Sequence, residues 1–226
     1  MLRLHRDDRD LAFATAIGSE SVRWFKKQGK AQVAVLKHHG LVDGMAVYDL
    51  GCGSGRTADA LKRSGWRGRY VGADIVREFV AELKRRCPAY EAVVHRRPSI
   101  VADDSSLDMV FHWSVFTHIS PEECYLYLED SFRALKPGGK TIFSFLEFAE
   151  PEHWSAFNSR VERLRRNKPL QLLDTFLHRD WIAGWAAKIG FDPPAFTSGL
   201  DTKDHPKMWQ TIAVLAKPPA PNEPAA

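Results

Sequence analysis

Short apolar runs alternate along this chain with longer segments whose apolar residues recur every three or four positions. The short runs are typical of buried strands, and the longer segments are typical of amphipathic helices. Repeated alternation of the two predicts βαβ units and a mostly parallel sheet. The predicted strands cover residues 45–50, 69–74, 90–95, 107–112 and 141–146, with a final strand over residues 208–215.

The helical segments differ in how clearly they begin and end. Spacing predicts a helix over residues 19–39 that breaks near Gly29, and another over residues 121–135 that opens on a proline followed by two acids. Beyond the fifth strand the regular alternation stops, and residues 150–168 read as a charged helical insertion. Asp180 is the predicted N-cap of a further helix.

Composition favours one compact domain. The chain has 226 residues, of which 44% are hydrophobic, and this is enough apolar surface to enclose one sizeable core. We therefore expect a single domain over residues 1–217, with a helical cap in residues 1–40 and a helical insertion in residues 150–180. Residues 218–226 are rich in proline and alanine, and this composition predicts a disordered tail.

Charge and cysteine content exclude several classes of protein. Lys and Arg number 32 against 28 Asp and Glu, and a balance of +4 does not predict nucleic-acid binding. The three cysteines form no CxxC pair, and this favours a reducing, cytoplasmic setting. No apolar run is long enough to span a membrane, and the charged N-terminus does not resemble a signal peptide. The nine histidines show no zinc-site spacing, so we expect no metal site.

A glycine loop follows the first predicted strand. Gly51, Gly53 and Gly55 stand at alternate positions, where missing side chains let a ligand approach the backbone. A dinucleotide-binding fingerprint places its third glycine one residue later, where Arg56 stands, and this spacing argues against a nicotinamide oxidoreductase. Asp49 precedes the loop and suits a cationic amino group better than a pyrophosphate.

Asp74 ends the second predicted strand, about 20 residues after the loop. A carboxylate at this spacing accepts hydrogen bonds from the hydroxyls of a ribose. Taken alone, the loop is equally compatible with a tight turn, and the acid with an ordinary surface aspartate. Their occurrence in one βαβ unit indicates a ligand that contains a nucleoside.

Residues 40–146 resemble the class I S-adenosylmethionine-dependent methyltransferase superfamily, in the branch of small-molecule and glycan methyltransferases. The resemblance implies a Rossmann-like α/β fold, in which a seven-stranded, mostly parallel sheet has helices on both faces and one antiparallel strand near the C-terminus. It also implies S-adenosylmethionine as the cofactor. The segments that carry the resemblance are residues 48–55, 70–74, 114–119 and 135–139.

The resemblance assigns the methionine end of the cofactor to the glycine loop and the ribose to Asp74. Many relatives also place an acid after the third strand to hold the adenine, whereas this chain has a basic segment over residues 95–99. The adenine contacts are therefore unassigned, with Asp103 and Asp104 as candidates. The predicted cofactor-binding residues are Asp49, Gly51, Cys52, Gly53, Gly55, Asp74, Ile75 and Ser114.

Methyl transfer from a sulfonium is an in-line displacement, so the protein mainly aligns the reacting atoms, but an oxygen acceptor must also lose its proton. His118 lies just past the fourth strand, at the ligand edge of such sheets, and is the predicted general base. The alternative is that His118 only caps or packs against the next helix. Trp113 and Glu147 are candidate substrate contacts; the alternatives are a core tryptophan and a solvated loop acid.

The predicted function is O-methylation of a small molecule or sugar. The alternatives are methylation of RNA or protein, a nicotinamide oxidoreductase and a cofactor-binding subunit without catalysis. The Asn/Asp-Pro-Pro-aromatic sequence of adenine-methylating relatives is replaced here by residues 111–114, Phe-His-Trp-Ser, which argues against nucleic acid. The sequence leaves the acceptor and the oligomeric state open.

Overall fold

The computed structural model describes residues 9–170, 174–203 and 205–221. Of the predicted disordered tail, residues 222–226 lie outside the described residues. The helices are α1 (Arg9–Ala16), α2 (Val22–His38), α3 (Arg56–Arg63), α4 (Arg77–Arg86), α5 (Pro121–Ala134), α6 (Trp154–Arg165) and α7 (Arg179–Ile189). The strands are β1 (Ala46–Leu50), β2 (Arg69–Asp74), β3 (Glu91–Val94), β4 (Leu107–His112), β5 (Leu135–Phe145), β6 (Ala195–Thr197) and β7 (Thr211–Ala216).

The seven strands follow the order β3-β2-β1-β4-β5-β7-β6 in one sheet. The pairs β1–β2, β2–β3 and β4–β5 are parallel, whereas β7 runs antiparallel to both β5 and β6. This architecture confirms the predicted α/β fold with one antiparallel strand near the C-terminus. Strand β6 was not predicted, because its three residues are too short a run to show a hydrophobic period.

The described residues form two compact units. The first unit contains the residues up to Arg97 together with 203–206, and the second contains residues 98–202 and those from 207 onward. That residues 1–217 form a single domain therefore stays a prediction. No helix within the described ranges is both long enough and apolar enough to cross a membrane.

In the first unit, α2 is one continuous helix, so the predicted break near Gly29 is wrong. Gly29 serves packing instead, because a Cβ at this position would lie 2.7 Å from the carbonyl oxygen of Arg56, where α3 begins. The helix opens at Ser21, whose side chain accepts a hydrogen bond from the Trp24 N–H. Glycine is therefore required here because α2 and α3 approach each other closely, and not because the chain turns.

In the second unit, the predicted start of α5 is confirmed. Ser120 caps the helix, and Glu123 completes a capping box with it. The glycine-containing segment after α5 belongs to β5, so that strand begins earlier than predicted. The predicted cap at Asp180 is wrong, because the imidazole of His178 accepts the Asp180 N–H and α7 begins at Arg179.

Candidate functional site

The glycine loop joins β1 to α3 in the first unit. Gly51, Gly53 and Gly55 have φ angles of +66°, +53° and +89°, in the left-handed region that other residues rarely adopt. A Cβ on Gly53 would lie 3.0 Å from the Cγ2 atom of Ile17. The turn itself therefore requires glycine at these positions, and the backbone there carries no side chains.

Asp74 ties the end of β2 to this loop. Its Oδ2 atom accepts a hydrogen bond from the Gly53 N–H at 2.9 Å, and its Oδ1 atom accepts one from the Val76 N–H at 2.9 Å. Burial raises the pKa of Asp74, while these backbone hydrogen bonds lower it. The Ile75 N–H is a third backbone donor to this carboxylate. A carboxylate offers about four lone-pair sites, so at least one remains for a ligand.

Asp49 is buried beneath the loop, with 2% of its surface exposed. Burial raises the pKa of Asp49 to about 7, although hydrogen bonds from Tyr70 and Thr57 act in the opposite direction. The positive charge of Arg56 also lowers it. The Tyr70 hydroxyl donates to Oδ2 of Asp49 at 2.5 Å. Tyr70 was not among the predicted site residues; the parallel register of β1 and β2 pairs it with Val47, two residues before Asp49.

Two further predicted cofactor residues lie in the same unit. Cys52 is buried within the loop, and burial raises the pKa of its thiol well above the ordinary value. Ile75 follows Asp74 and is 58% exposed. The first unit thus brings together seven of the eight predicted cofactor-binding residues; the eighth, Ser114, belongs to the second unit.

Ser114 lies just past β4 and has a φ angle of +61°, unusual for a residue other than glycine. Its N–H donates to Oγ of Ser144 at 2.8 Å, and the Ser144 hydroxyl donates to Oε1 of Gln210 at 2.6 Å. The Nε2 of Gln210 closes the ring by donating to Oγ of Ser114 at 2.9 Å. Such a backbone conformation costs about 1–3 kcal/mol and persists because surrounding contacts hold it.

His118 follows on the same loop, and its side chain is exposed. The loop is fastened on both sides of it, because Thr175 donates its N–H to the Thr117 carbonyl at 2.9 Å and its hydroxyl to the Ile119 carbonyl at 2.7 Å. The N-cap of α5 is Ser120, so the alternative that His118 caps this helix is wrong. Its predicted role as the general base stays a prediction.

Glu147 follows β5 and is 2% exposed, so the alternative of a solvated loop acid is wrong. Arg179 donates to both of its carboxylate oxygens, at 2.9 and 2.7 Å, and the Thr211 hydroxyl donates to Oε1 at 2.7 Å. Burial alone would raise the pKa of Glu147, but these hydrogen bonds outweigh it and leave the pKa below the ordinary value. Glu147 is therefore a poor proton acceptor, and a substrate contact by it stays a prediction.

The other predicted residues of the second unit have structural partners. Trp113 is partly buried, and its ring stacks on Phe111 with centroids 6.3 Å apart. Asp104 pairs with Arg133 at 2.6 Å, and Arg133 also donates to Asp130. An adenine contact by Asp103 or Asp104 stays a prediction. Across the described ranges, His, Cys, Asp and Glu form no group of three suited to a metal ion.

A seven-stranded sheet of this order, with a glycine loop after β1 and an acid at the end of β2, defines the class of α/β proteins that bind nucleoside cofactors. Residues 47–139 match a family model described as a methyltransferase domain. Over these residues the chain is similar to methyltransferase domains, in agreement with the resemblance found in the sequence. The match supports the predicted enzyme class, a methyltransferase, and S-adenosylmethionine as its cofactor.

Many solved structures share this fold. One is an S-adenosylmethionine-dependent methyltransferase from Methanosarcina mazei, with a TM-score of 0.63 and 19% identity over 82% of this chain and 98% of that one. Another is magnesium protoporphyrin IX methyltransferase from Synechocystis, solved with bound S-adenosylhomocysteine. It has a TM-score of 0.61 and 15% identity, and the match covers 96% of this chain and 89% of that one. A third is the complex of a Haloferax volcanii methyltransferase with the Trm112 activator. It has a TM-score of 0.62 and 19% identity, and the match covers 97% of this chain and 99% of that one. At these identities the likeness shows the fold.

Proposed function

We propose that this protein transfers the methyl group of S-adenosylmethionine to a hydroxyl of a small molecule or sugar. One observation carries the cofactor part of the proposal: Asp74 holds the Gly53 N–H of a loop whose three glycines are all left-handed. The residues present fit the cofactor, because Asp74 retains acceptor capacity for the ribose and the three left-handed glycines of the loop carry no side chains of their own. When bound, the sulfonium supplies an already activated methyl group.

The proposed division of work follows from the chemistry of each residue. The glycine loop accommodates the methionine end of the cofactor, Asp74 accepts from the ribose hydroxyls, and Asp49 supplies negative charge beneath the loop. Ile75 completes the cofactor-binding residues proposed in the first unit, and a cofactor contact by Ser114 stays a prediction. For a hydroxyl acceptor, His118 removes the proton, because imidazole is a suitable general base at neutral pH.

Binding of cofactor is the first expected result. We expect calorimetry to detect S-adenosylmethionine and S-adenosylhomocysteine binding, and much weaker or no binding of NAD, because the loop lacks the dinucleotide spacing. Gly53→Val should abolish the signal, since it places a branched side chain at positive φ against Ile17. Gly65→Val is the matched control: Gly65 also has positive φ, but no atom lies within 4 Å of its Cβ position. Equal NAD affinity would contradict the proposal.

The acceptor class is decided by mass spectrometry of a cell extract incubated with the protein and methyl-labelled cofactor. A labelled small molecule is the expected product. Label in RNA or protein would favour the second candidate function, a methyltransferase for macromolecules. The similarity to the Haloferax volcanii methyltransferase, which is solved with a protein activator, makes co-purification with a protein partner part of that alternative.

The pKa of Asp49 predicts that cofactor affinity depends on pH. Its pKa near 7 means that protonation competes with binding of the cofactor ammonium, so affinity should fall as pH drops from 7 to about 5.5, by up to about tenfold per pH unit. The Asp49→Asn variant should bind S-adenosylmethionine weakly at both pH values. 5′-Methylthioadenosine lacks the ammonium and is the control ligand, whose affinity should stay constant. Parallel pH profiles for the two ligands in calorimetry would rule out this role.

A further inference from the structure

Four aromatic rings form a continuous cluster in the second unit, just beyond the end of β5. Phe148 stacks on Phe176 with centroids 4.5 Å apart and ring planes 10° apart. Phe157 meets Phe148 edge to face at 5.2 Å, and Trp154 meets Phe157 edge to face at 5.4 Å. These four residues, called the aromatic platform, come from three separate segments of the chain, so their mutual packing is a property of the tertiary structure.

Core packing does not explain the platform. Phe148 and Trp154 are 46% and 44% exposed. Of the twelve described residues of α6, none is buried, although Trp154, Phe157, Val161 and Leu164 recur at the spacing of one helix face. Clustered apolar surface that folding leaves exposed marks a place where another molecule binds.

The platform is continuous with the loop that carries His118. The segment holding Phe176 pairs with Leu146 at the end of β5, where the Leu177 N–H donates to the Leu146 carbonyl at 2.8 Å. Its other side is fastened to the His118 loop by the two hydrogen bonds from Thr175. A molecule bound on the platform therefore contacts the segment that contains Thr175 and Phe176, and this segment also holds the loop of His118 in place.

We propose that the platform is the acceptor site and that the acceptor is a phenol, meaning a flat aromatic ring bearing the hydroxyl to be methylated. This inference rests on the proposed function and narrows it. Beside the rings, Arg160 pairs with Asp174 at 2.5 Å, so these two charges neutralise each other. A sugar is held mainly by hydrogen bonds, whereas an aromatic ring needs ring faces and edges, which the platform presents.

The acidity of a phenolic hydroxyl also supports a phenol as the acceptor. A phenolic hydroxyl has a pKa near 10, as in tyrosine, and this is far closer to the pKa of imidazole than the pKa of water is. In the transfer, the phenolic oxygen forms a bond to the methyl carbon while the methyl–sulfur bond breaks and its electron pair goes to sulfur. The phenolic proton passes to the imidazole of His118. The products are an aryl methyl ether and S-adenosylhomocysteine.

The test is calorimetric titration with 1-naphthol, a flat phenol, and with methyl α-glucoside as the sugar counterpart. We expect saturable binding of 1-naphthol that Trp154→Ala weakens about tenfold, the size of one lost ring contact and its buried area. Phe148→Leu, which keeps an apolar side chain, should weaken 1-naphthol binding less than Trp154→Ala does. Trp181→Ala is the matched control, because Trp181 is similarly exposed, at 51%, but lies on α7.

The outcomes separate this inference from the proposed function. S-Adenosylmethionine binding by wild type and by Trp154→Ala should be equal, and circular dichroism should show the variant folded. If cofactor binds but 1-naphthol does not, or binds equally well to Trp154→Ala, the phenol assignment is wrong and the methyltransferase proposal stands. Preferential binding of the glucoside would also overturn the phenol assignment. If cofactor itself fails to bind, the proposed function falls.

Discussion

We expect the His118→Gln variant to bind S-adenosylmethionine as wild type does and to lose roughly 10² or more in kcat. Glutamine keeps approximate size and polarity but cannot accept a proton at neutral pH. The loop should keep its place, because Thr175 holds it through the backbone carbonyls of Thr117 and Ile119. The loss should therefore appear in kcat and not in cofactor affinity.

The pH profile distinguishes a lost base from a disturbed site. As pH rises, the acceptor hydroxyl ionises without help, so the rate of the variant should recover part of its deficit. His38→Gln, at an exposed histidine on α2 in the first unit, is the matched control and should leave kcat unchanged. A His118→Gln variant that turns over at near wild-type rate would mean that alignment alone carries the step. Glu147 is no substitute base, because Arg179 and Thr211 already engage its carboxylate.

Asp74→Ala should weaken S-adenosylmethionine binding at least tenfold. Two hydrogen bonds to a charged group, each worth about 1.5–3 kcal/mol, are removed if the ribose is bound here. The structure adds a second consequence, since the substitution also leaves the Gly53 and Val76 N–H groups without their acceptor. The loop should therefore loosen, and Tm should fall along with affinity. Glu129→Ala, at an exposed acid of α5 in the second unit, is the control.

A thermodynamic cycle separates ribose binding from loop support. S-Adenosylhomocysteine and its analogue lacking both ribose hydroxyls are titrated into wild type and Asp74→Ala. If Asp74 binds the ribose, the analogue loses affinity in wild type and loses little more in the variant, because each change removes the same contacts. Losses that simply add would show that Asp74 acts only through the loop, and the ribose would have to be placed elsewhere.

Local sequence sufficed for the features that are contiguous in the chain. The glycine loop and Asp74 belong to one βαβ unit, in which strand length and turn geometry dictate where the loop and the strand end lie. The start of α5 was equally readable, because Pro121 and the two acids that follow it favour the first turn of a helix. The class of protein followed from these segments, since cofactor recognition in such folds depends on backbone turns and one acid.

Tertiary structure alone decided which distant side chains meet. Gln210 reaches Ser114 across 96 positions, and Arg179 reaches Glu147 across 32. Hydrophobic periodicity reports that a helix or strand has an apolar face, but not which partner covers it. For that reason the sequence read Gly29 as a break where α2 and α3 pack closely, and read residues 150–168 as a charged helix without revealing its exposed aromatic face.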